Sequence, residues 1–326
     1  MRVRPLSVLL ATAALLLAPV PAVAAPDLTG YALGSTPPAV VVRDAPRLST
    51  LTVVGVSIRA SGRGTTRPPR DTLRLGRVAR AQGVRTELLV NNWSNRLEGF
   101  DQRAAARLLR DDDRVRRVAA RVARLVAAGG WDGVNLDLER LRPPDGPGLV
   151  LLAAELQRRM PAEASVSVDV SARGTVEAYR AAGYRLGALA RAVDVVQLMA
   201  YDQHGPTWSG PGPIGSLDWQ RRSLRALLRA VPREQVDLGV AGYGYTWPSR
   251  GRVGRTVTVA GARALVRSRG GRPVWRAAVG EWRARLDDGT VVWWSDRRSL
   301  RRRERLATRQ GLHGVALWRL GSADPL

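Results

Sequence analysis

The chain has no cysteine among its 326 residues, and it has only two histidines, His204 and His313. Disulfides, a thiolate nucleophile and a cysteine-ligated metal are therefore excluded. Two histidines alone do not supply a zinc site, so we expect no metal centre. Lysine is absent as well: all 52 basic residues are arginine, a bias that we attribute to genome composition.

Acidic residues are too few to balance the arginines, and the formal net charge is +24. A nucleic-acid-binding protein would also be basic. However, the arginines are spread along the chain, and only residues 297–303 form a dense cluster. With neither a zinc-finger spacing nor an RNA-binding aromatic signature, we expect no nucleic acid partner. Two interpretations stay open: binding to an anionic cell-wall polymer or acidic polysaccharide, and a solvated arginine surface without a single partner.

Long apolar runs are missing except near the N-terminus, where residues 6–17 are almost wholly apolar. Arg2 and Arg4 precede this run, and residues 22–24 (AVA) fit a small-residue cleavage site. We predict a signal peptide over residues 1–25, with the mature chain starting near Ala25. The run is too short for a comfortable membrane span, although an uncleaved anchor is the alternative. We therefore expect a secreted or cell-wall-associated protein.

The remaining residues, 26–326, alternate between strand-like and helix-like segments. Hydrophobic residues make up 45% of the chain, which is enough for one large domain. The strands are predicted at residues 28–33, 51–58, 84–90, the segment ending at Glu139, 166–170, 193–201, 236–243 and 314–318. The helices are predicted at residues 73–82, 101–110, 112–128, 149–160, 184–191 and 219–230. Alternation of this kind predicts a parallel sheet, and eight strands indicate an α/β fold, a closed (β/α)8 TIM barrel.

One segment, from about residue 248 to 296, interrupts this alternation. Residues 281–286 and 290–294 are strand-like, and an Asp-Asp-Gly turn separates them. This pattern is typical of a β-hairpin. We predict a small α+β insertion here, between the seventh and eighth strands.

The most informative stretch is GGWDGVNLDLE at residues 129–139. Read with a period of two, Asn135, Asp137 and Glu139 share one face, opposite an apolar face. The stretch could be an antiparallel strand with a solvated face, or a parallel barrel strand whose polar face looks into the barrel. The helical pattern that precedes it favours the barrel. Glu139 would then lie at the carboxyl end of the strand, where barrel enzymes keep their catalytic groups.

Two later stretches repeat this arrangement. Gln197, Met199 and Tyr201 share one face at the end of the predicted sixth strand, and Trp318 ends the predicted eighth strand. The first set could equally be ordinary core lining, and Trp318 could be packing or the floor of a sugar site. Ten tryptophans against one phenylalanine are compatible with carbohydrate stacking.

Together, these stretches resemble glycoside hydrolase family 18, the chitinase-like barrels. The family's D-G-x-D-x-D-x-E motif reads DGVNLDLE at residues 132–139, its M-x-Y-D motif reads MAYD at residues 199–202, and its eighth-strand tryptophan matches Trp318. Details are similar to the branch that contains spore-cortex-lytic N-acetylglucosaminidases. They are Asn135, YDQH at 201–204, GPI at 212–214 and YGYTW at 243–247.

The resemblance implies a role for each matching residue. Glu139 would protonate the glycosidic oxygen, and Asp137 would orient the N-acetyl group of the substrate, whose own carbonyl oxygen attacks the anomeric carbon. Tyr201 would hydrogen-bond that oxygen. The implied substrate-binding residues are Asn135, Gln197, Met199, Asp202, Tyr243 and Trp318. The resemblance also implies a monomer that needs no cofactor and acts on a polysaccharide containing N-acetylglucosamine.

Asn135 departs from the pattern, because many chitinases have Asp there, and that Asp shares a proton or hydrogen bond with the next one. An amide can still donate to Asp137, so we predict that activity persists. Peptidoglycan is the preferred substrate and chitin the alternative. The rival hypothesis is a catalytically silent, sugar-binding protein of the cell wall, but such relatives usually lack the acid that Glu139 supplies.

Overall fold

The computed structural model describes residues 26–249 and 253–326, so the predicted signal peptide lies outside the described residues. Eight parallel strands form a closed barrel. They are β1 (Asp27–Ala32), β2 (Thr50–Ser57), β3 (Arg85–Asn91), β4 (Gly133–Asp137), β5 (Ser165–Ser171), β6 (Val195–Met199), β7 (Val236–Ala241) and β8 (Gly314–Trp318). Each strand pairs with its neighbours in chain order, and β8 pairs with β1. The predicted (β/α)8 barrel is therefore confirmed.

The barrel strands have an apolar outer face because helices cover them. Val134 and Leu136 of β4 are fully buried and belong to the same core as Val118 and Val122 on the helix that precedes them. Burial of each such side chain contributes about 1.5–3 kcal/mol to folding. The alternate residues point into the barrel, which places the polar face of β4 in its interior.

Ten α-helices lie within the described residues. They are α1 (Pro38–Asp44), α2 (Arg70–Ala81), α3 (Gln102–Leu109), α4 (Asp112–Gly129), α5 (Gly146–Arg159), α6 (Val176–Ala181), α7 (Leu186–Ala190), α8 (Leu217–Leu227), α9 (Val259–Ser268) and α10 (Arg297–Gln310). None of the helices in this described part is long and apolar enough to cross a bilayer.

Four of these helices, α1, α6, α9 and α10, are not among the six predicted helices. Helix α10 contains the dense arginine cluster and has few apolar residues, and its sequence was interpreted as a charge cluster rather than as a helix. Its ends nevertheless carry ordinary signals. Asp296 accepts hydrogen bonds from the backbone N–H groups of Arg298 and Ser299, and Gly311 ends the helix at φ 62°. Glycine adopts this left-handed conformation without strain, which makes it a common helix terminator.

A second, smaller sheet lies between β7 and β8. Its five strands are Gly244–Trp247, Thr256–Val257, Val274–Arg276, Glu281–Arg285 and Val291–Trp294. The predicted hairpin is present, since Glu281–Arg285 pairs antiparallel with Val291–Trp294. The predicted bounds of about 248–296 leave out the first of these strands. Helix α9 packs on the sheet through a separate core that includes Val259, Ala262 and Trp294.

A buried ion pair joins this second sheet to the barrel. Arg303 of α10 and Glu281 of the sheet are 3.4 Å apart, and each side chain is 1% exposed. Glu281 also accepts hydrogen bonds from the backbone N–H groups of Ile214 and Gly215, at 2.8 and 2.9 Å. Arg303 donates to the carbonyl oxygens of Gly215, at 2.6 Å, and Gly280. One arginine of the basic cluster is thus a structural residue rather than part of the charged surface.

We expect Arg303→Met to lower the free energy of unfolding by about 3–5 kcal/mol, because it leaves a buried carboxylate without its cation. Urea unfolding followed by circular dichroism measures this loss. Arg301→Met is the matched control, since Arg301 is an exposed arginine of the same helix and such surface changes stay within about 0.5 kcal/mol. Equal effects of the two substitutions would contradict the structural role of Arg303.

Candidate active site

The site lies where β4 leaves the barrel. Asp137 is the last residue of β4, and Glu139 follows two residues later. Asn92, just after β3, holds the backbone of Glu139 from both sides: it accepts from the N–H at 2.9 Å and donates to the carbonyl oxygen at 3.1 Å. The next residue, Arg140, has a left-handed backbone with φ 58°. Glu139 therefore has a fixed position at the barrel mouth.

Burial raises the pKa of Glu139 to about 7, and the nearby negative charge of Asp202 adds to this effect. Arg140 and Arg173 act in the opposite direction, because their positive charges favour the ionised carboxylate. A carboxylic acid with this pKa still holds a proton near neutral pH. Glu139 therefore has the protonation state that a general acid needs.

Asp137 lies deeper than Glu139. Its side chain is 7% exposed, and its Oδ1 atom is buried without a hydrogen-bond partner among the described residues. Burial raises the pKa of Asp137 well above its usual value, and the charges of Glu139 and Asp169 raise it further. Burial and both neighbouring charges therefore favour the neutral form of Asp137.

Asn135 lies one layer below Asp137 and is 0% exposed. Its Nδ2 atom donates to Asp169 Oδ1 at 2.9 Å and to Ser167 Oγ at 3.0 Å, both on β5. The expectation that this amide donates to Asp137 is therefore wrong, because its N–H groups donate to acceptors on β5 instead. Full burial also excludes the predicted contact between Asn135 and a substrate.

Tyr31 of β1 and Gln197 of β6 complete this buried layer. The Tyr31 hydroxyl donates to Asp169 Oδ1 at 2.6 Å and also contacts the side-chain amide of Gln197. Gln197 is 3% exposed. It was predicted to bind substrate directly; in the unliganded protein it is buried and accepts a hydrogen bond from Tyr31.

Glu87 of β3 lies below this layer, inside the barrel. Its carboxylate accepts hydrogen bonds from three hydroxyl groups: Ser167 at 2.8 Å, Ser165 at 2.9 Å and Thr52 at 3.0 Å. Burial still raises the pKa of Glu87 to about 7. Hydrogen bonds thus connect Glu87 through Ser167 to Asn135 and Asp169.

A wall of tyrosines borders the site on the side of β6 and β7. Tyr201 and Tyr243 meet edge to face with ring centroids 6.5 Å apart, and Tyr243 meets Tyr245 at 5.3 Å. Tyr243 and Tyr245 both donate to Asp202, the latter at 2.7 Å. Burial raises the pKa of Tyr201 well above its usual value, so its hydroxyl stays protonated and can donate a hydrogen bond.

Tryptophans lie at several strand ends of the same barrel face. Trp318, which ends β8, is half-buried and has its ring 5.5 Å from that of Tyr31. Trp93 follows β3 and Trp208 follows β6, with exposed fractions of 40% and 55%. Exposed indole rings at the mouth of a barrel offer flat surfaces on which sugar rings can stack.

The structure brings most of the predicted residues to this mouth. Glu139, Asp137, Tyr201, Asp202 and Trp318 surround it, and Met199 is half-buried at the end of β6. Tyr243 was predicted to bind substrate, but it is buried and contacts Asp202 instead.

Sequence reading missed four residues: Tyr31, Glu87, Asp169 and Tyr245. The same period of two would have found the first three, because each lies on the inward face of its strand. In β5, for instance, Ser165, Ser167 and Asp169 alternate with three valines.

A sequence model of glycosyl hydrolases family 18 matches residues 71–323. This chain belongs to that family. Membership of family 18 makes it a glycosidase, and its closed barrel is the fold expected for that family.

Three known proteins show how this family 18 chain compares with others. The uncharacterized glycosylase YvbX of Bacillus subtilis (strain 168) is 22% identical, over 75% of this chain and 73% of its own. The spore cortex-lytic enzyme SleL of Bacillus cereus superposes with a TM-score of 0.82 and 19% identity, over 92% of this chain and 72% of its own. A chitinase of Chromobacterium violaceum superposes with a TM-score of 0.81 and 24% identity, over 92% of this chain and 96% of its own. The two superpositions support the barrel fold.

The described residues 26–249 and 253–326 contain no group of three or more His, Asp or Glu side chains arranged to hold a metal ion. The acids of the site are instead held by hydroxyl and amide donors.

The buried carboxyl group of Glu87 predicts a pH-dependent stability. Its pKa rises from 4.5 in the unfolded chain to about 7. Its favourable contribution is therefore complete below pH 4.5 and is lost as the pH rises through 7. We expect Glu87→Gln to gain stability relative to wild type between pH 5 and pH 8, on the order of 3 kcal/mol. Urea unfolding at several pH values measures the difference.

Glu163→Gln is the control, since Glu163 is exposed at the opposite end of the barrel, just before β5. Its difference from wild type should vary much less with pH. A Glu87→Gln difference that stays constant from pH 5 to pH 8 would contradict the assignment.

Proposed function

We propose that this family 18 protein hydrolyses β-1,4 bonds next to N-acetylglucosamine in peptidoglycan, outside the cytoplasm, by a retaining and substrate-assisted mechanism. One observation carries the proposal. An acid whose pKa is about 7, Glu139, lies two residues from the buried Asp137 at a barrel mouth lined with aromatic side chains. Export would depend on the apolar segment within residues 1–25.

The reaction divides into two steps. Glu139 gives its proton to the glycosidic oxygen, the bond to the anomeric carbon breaks, and the acetamido oxygen of the same sugar attacks that carbon. A cyclic oxazolinium ion results. Water then attacks the anomeric carbon, Glu139 takes a proton from the water, and the acetamido group is restored. The two inversions leave the anomeric configuration unchanged.

The structure supports a nucleophile from the substrate rather than from the protein. Asp137 is buried, burial favours its neutral form, and a neutral carboxyl is a poor nucleophile. Asp202 is tied by hydrogen bonds from Tyr243 and Tyr245. Tyr201 keeps its proton, so its hydroxyl can donate to the acetamido oxygen while that oxygen attacks.

Two features favour peptidoglycan as the glycan. SleL, whose fold this chain shares, is named a spore cortex-lytic enzyme. The net charge of +24 would also favour association with an anionic cell wall. Chitin is the second candidate, because the chain shares its fold equally with a chitinase.

Substitution of the acid tests the hydrolase function. We expect wild-type protein to release fragments from purified peptidoglycan with N-acetylglucosamine at the new reducing end, initially in the β configuration. Glu139→Gln should reduce kcat by about 10²–10⁴-fold, because it removes the general acid. Mass spectrometry of borohydride-reduced products identifies the sugar, and proton NMR identifies the anomer.

N-acetylglucosamine oligomers, assayed in parallel, separate the two candidate substrates. Cleavage of the oligomers without cleavage of peptidoglycan would reassign the enzyme as a chitinase. Binding without cleavage by both wild type and Glu139→Gln would overturn the hydrolase proposal and favour a sugar-binding protein.

The pH profile tests the acid more directly. Because Glu139 must be protonated, kcat/KM should fall as the pH rises through about 7, the pKa of this carboxyl. The negative charge of Asp202 contributes to that pKa, so Asp202→Asn should move the alkaline limb to lower pH. An alkaline limb that does not move in Asp202→Asn would contradict this coupling.

A further inference from the structure

Strand register places a second buried carboxyl group beside Asp137. Asn135 of β4 pairs with Ser167 of β5, and Leu136 pairs with Val168. The next pair in the same register is Asp137 and Asp169. Neighbouring strands are about 4.8 Å apart, so the two carboxyl groups leave adjacent backbone positions on the same inward face.

The hydrogen bonds around these two groups differ. Asp169 Oδ1 accepts from Asn135 Nδ2 at 2.9 Å and from Tyr31 Oη at 2.6 Å. Asp137 Oδ1 has no partner among the described residues. Donors stabilise the ionised form of a carboxyl group, and their absence from a buried one favours the neutral form. In the unliganded protein, the proton of the pair therefore resides on Asp137.

The identity of residue 135 explains why the carboxyl neighbour of Asp137 is Asp169 on β5. The usual family pattern has an Asp at this position, and that Asp shares a proton with the next Asp. An amide at 135 cannot accept a proton. Its Nδ2 donates to Asp169, which leaves Asp169 as the carboxyl group that borders both Asn135 and Asp137.

Other titratable groups also face the pair. They are Tyr31 on β1, Glu87 on β3, Glu139 after β4, Tyr184 before α7, and Tyr201 after β6. The tyrosines keep their protons and add no charge at neutral pH. Glu87 lies one layer lower and reaches Asp169 only through Ser167 and Asn135. Among these groups, Asp169 alone continues the β4–β5 register beside Asp137.

We propose that Asp169 is the positioning residue of this site: it receives the proton of Asp137 during the reaction and so fills the role that residue 135, an amide, cannot fill. The catalytic consequence rests on the proposed function, whereas the proton equilibrium between the two carboxyl groups does not.

The proton balance is simple. Before reaction Asp137 is neutral and Asp169 is ionised. As positive charge develops on the acetamido group, the proton moves from Asp137 to Asp169. The pair keeps one proton and one negative charge, and that charge now lies on Asp137, next to the reacting sugar. No net charge enters the buried site, so the desolvation cost of a second buried anion is avoided.

Carbon-13 NMR of aspartate-labelled protein tests the equilibrium without reference to activity. Asp137→Asn identifies the Asp137 carboxyl signal, which is then titrated in wild type and in Asp169→Asn. Loss of the neighbouring negative charge should lower the pKa of Asp137 by about one pH unit or more, a tenfold change in its ionisation constant. Asp237→Asn is the matched control, because it removes a buried carboxylate that bonds Thr29 and His313 elsewhere in the barrel.

Kinetics test the role in the reaction. Asp169→Asn should lower kcat at least about tenfold while KM changes little, because the proton acceptor acts in the chemical step. The double variant Asn135→Asp/Asp169→Asn returns a carboxyl group to position 135 and should recover most of that loss. A purely structural role for Asp169 would not predict this rescue.

Each outcome has a separate meaning. An Asp137 titration that is the same in Asp169→Asn and wild type overturns the proposal, whatever the activity. A shifted titration with unchanged kcat would show that the two carboxyl groups interact, but it would overturn the proposed role of Asp169 in the reaction. Wild-type protein that cleaves no glycan refutes the proposed function, yet the titration still decides whether the two carboxyl groups share a proton.

Discussion

The site depends on one constraint: several carboxyl groups are buried close together inside the barrel. Glu87, Asp169, Asp137 and Glu139 lie on three adjacent strands, β3 to β5, from the barrel interior to its mouth. In such surroundings two neighbouring negative charges repel strongly and are poorly solvated. Some of the groups must therefore keep their protons at neutral pH.

The hydrogen-bond donors decide which group is charged. Glu87 has three hydroxyl donors, Asp169 has a tyrosine and an amide, and Asp137 has none among the described residues. The unpaired Oδ1 of Asp137 is costly for the unliganded fold, because a buried acceptor without a donor loses its solvation. A ligand that supplies an N–H at this point would remove that cost. The acetamido group of an N-acetylated sugar carries such an N–H.

The sequence predicted the barrel and the mouth of the site well, because both leave local signals. Alternation within β4 gave the orientation of Asp137 and Glu139, and repeated strand–helix units gave the closed sheet. What it did not predict depends on register between distant strands. Asn135 was expected to donate to Asp137, its neighbour in sequence, yet it donates to Asp169, which lies 34 residues away. Helix α10 was missed for another reason: its arginines were interpreted as a charged surface cluster, although its few apolar residues share one helical face.

The second sheet is connected electrostatically to the acid. Its first strand carries Tyr245, which donates to Asp202, and the charge of Asp202 raises the pKa of Glu139. The loop that follows Asp202 is held by Glu281 of the same sheet, which accepts from the backbone of residues 214 and 215, and Arg303 neutralises Glu281. The buried ion pair therefore holds the backbone of the loop that follows Asp202, and the same sheet supplies the hydrogen bond from Tyr245 to Asp202 itself.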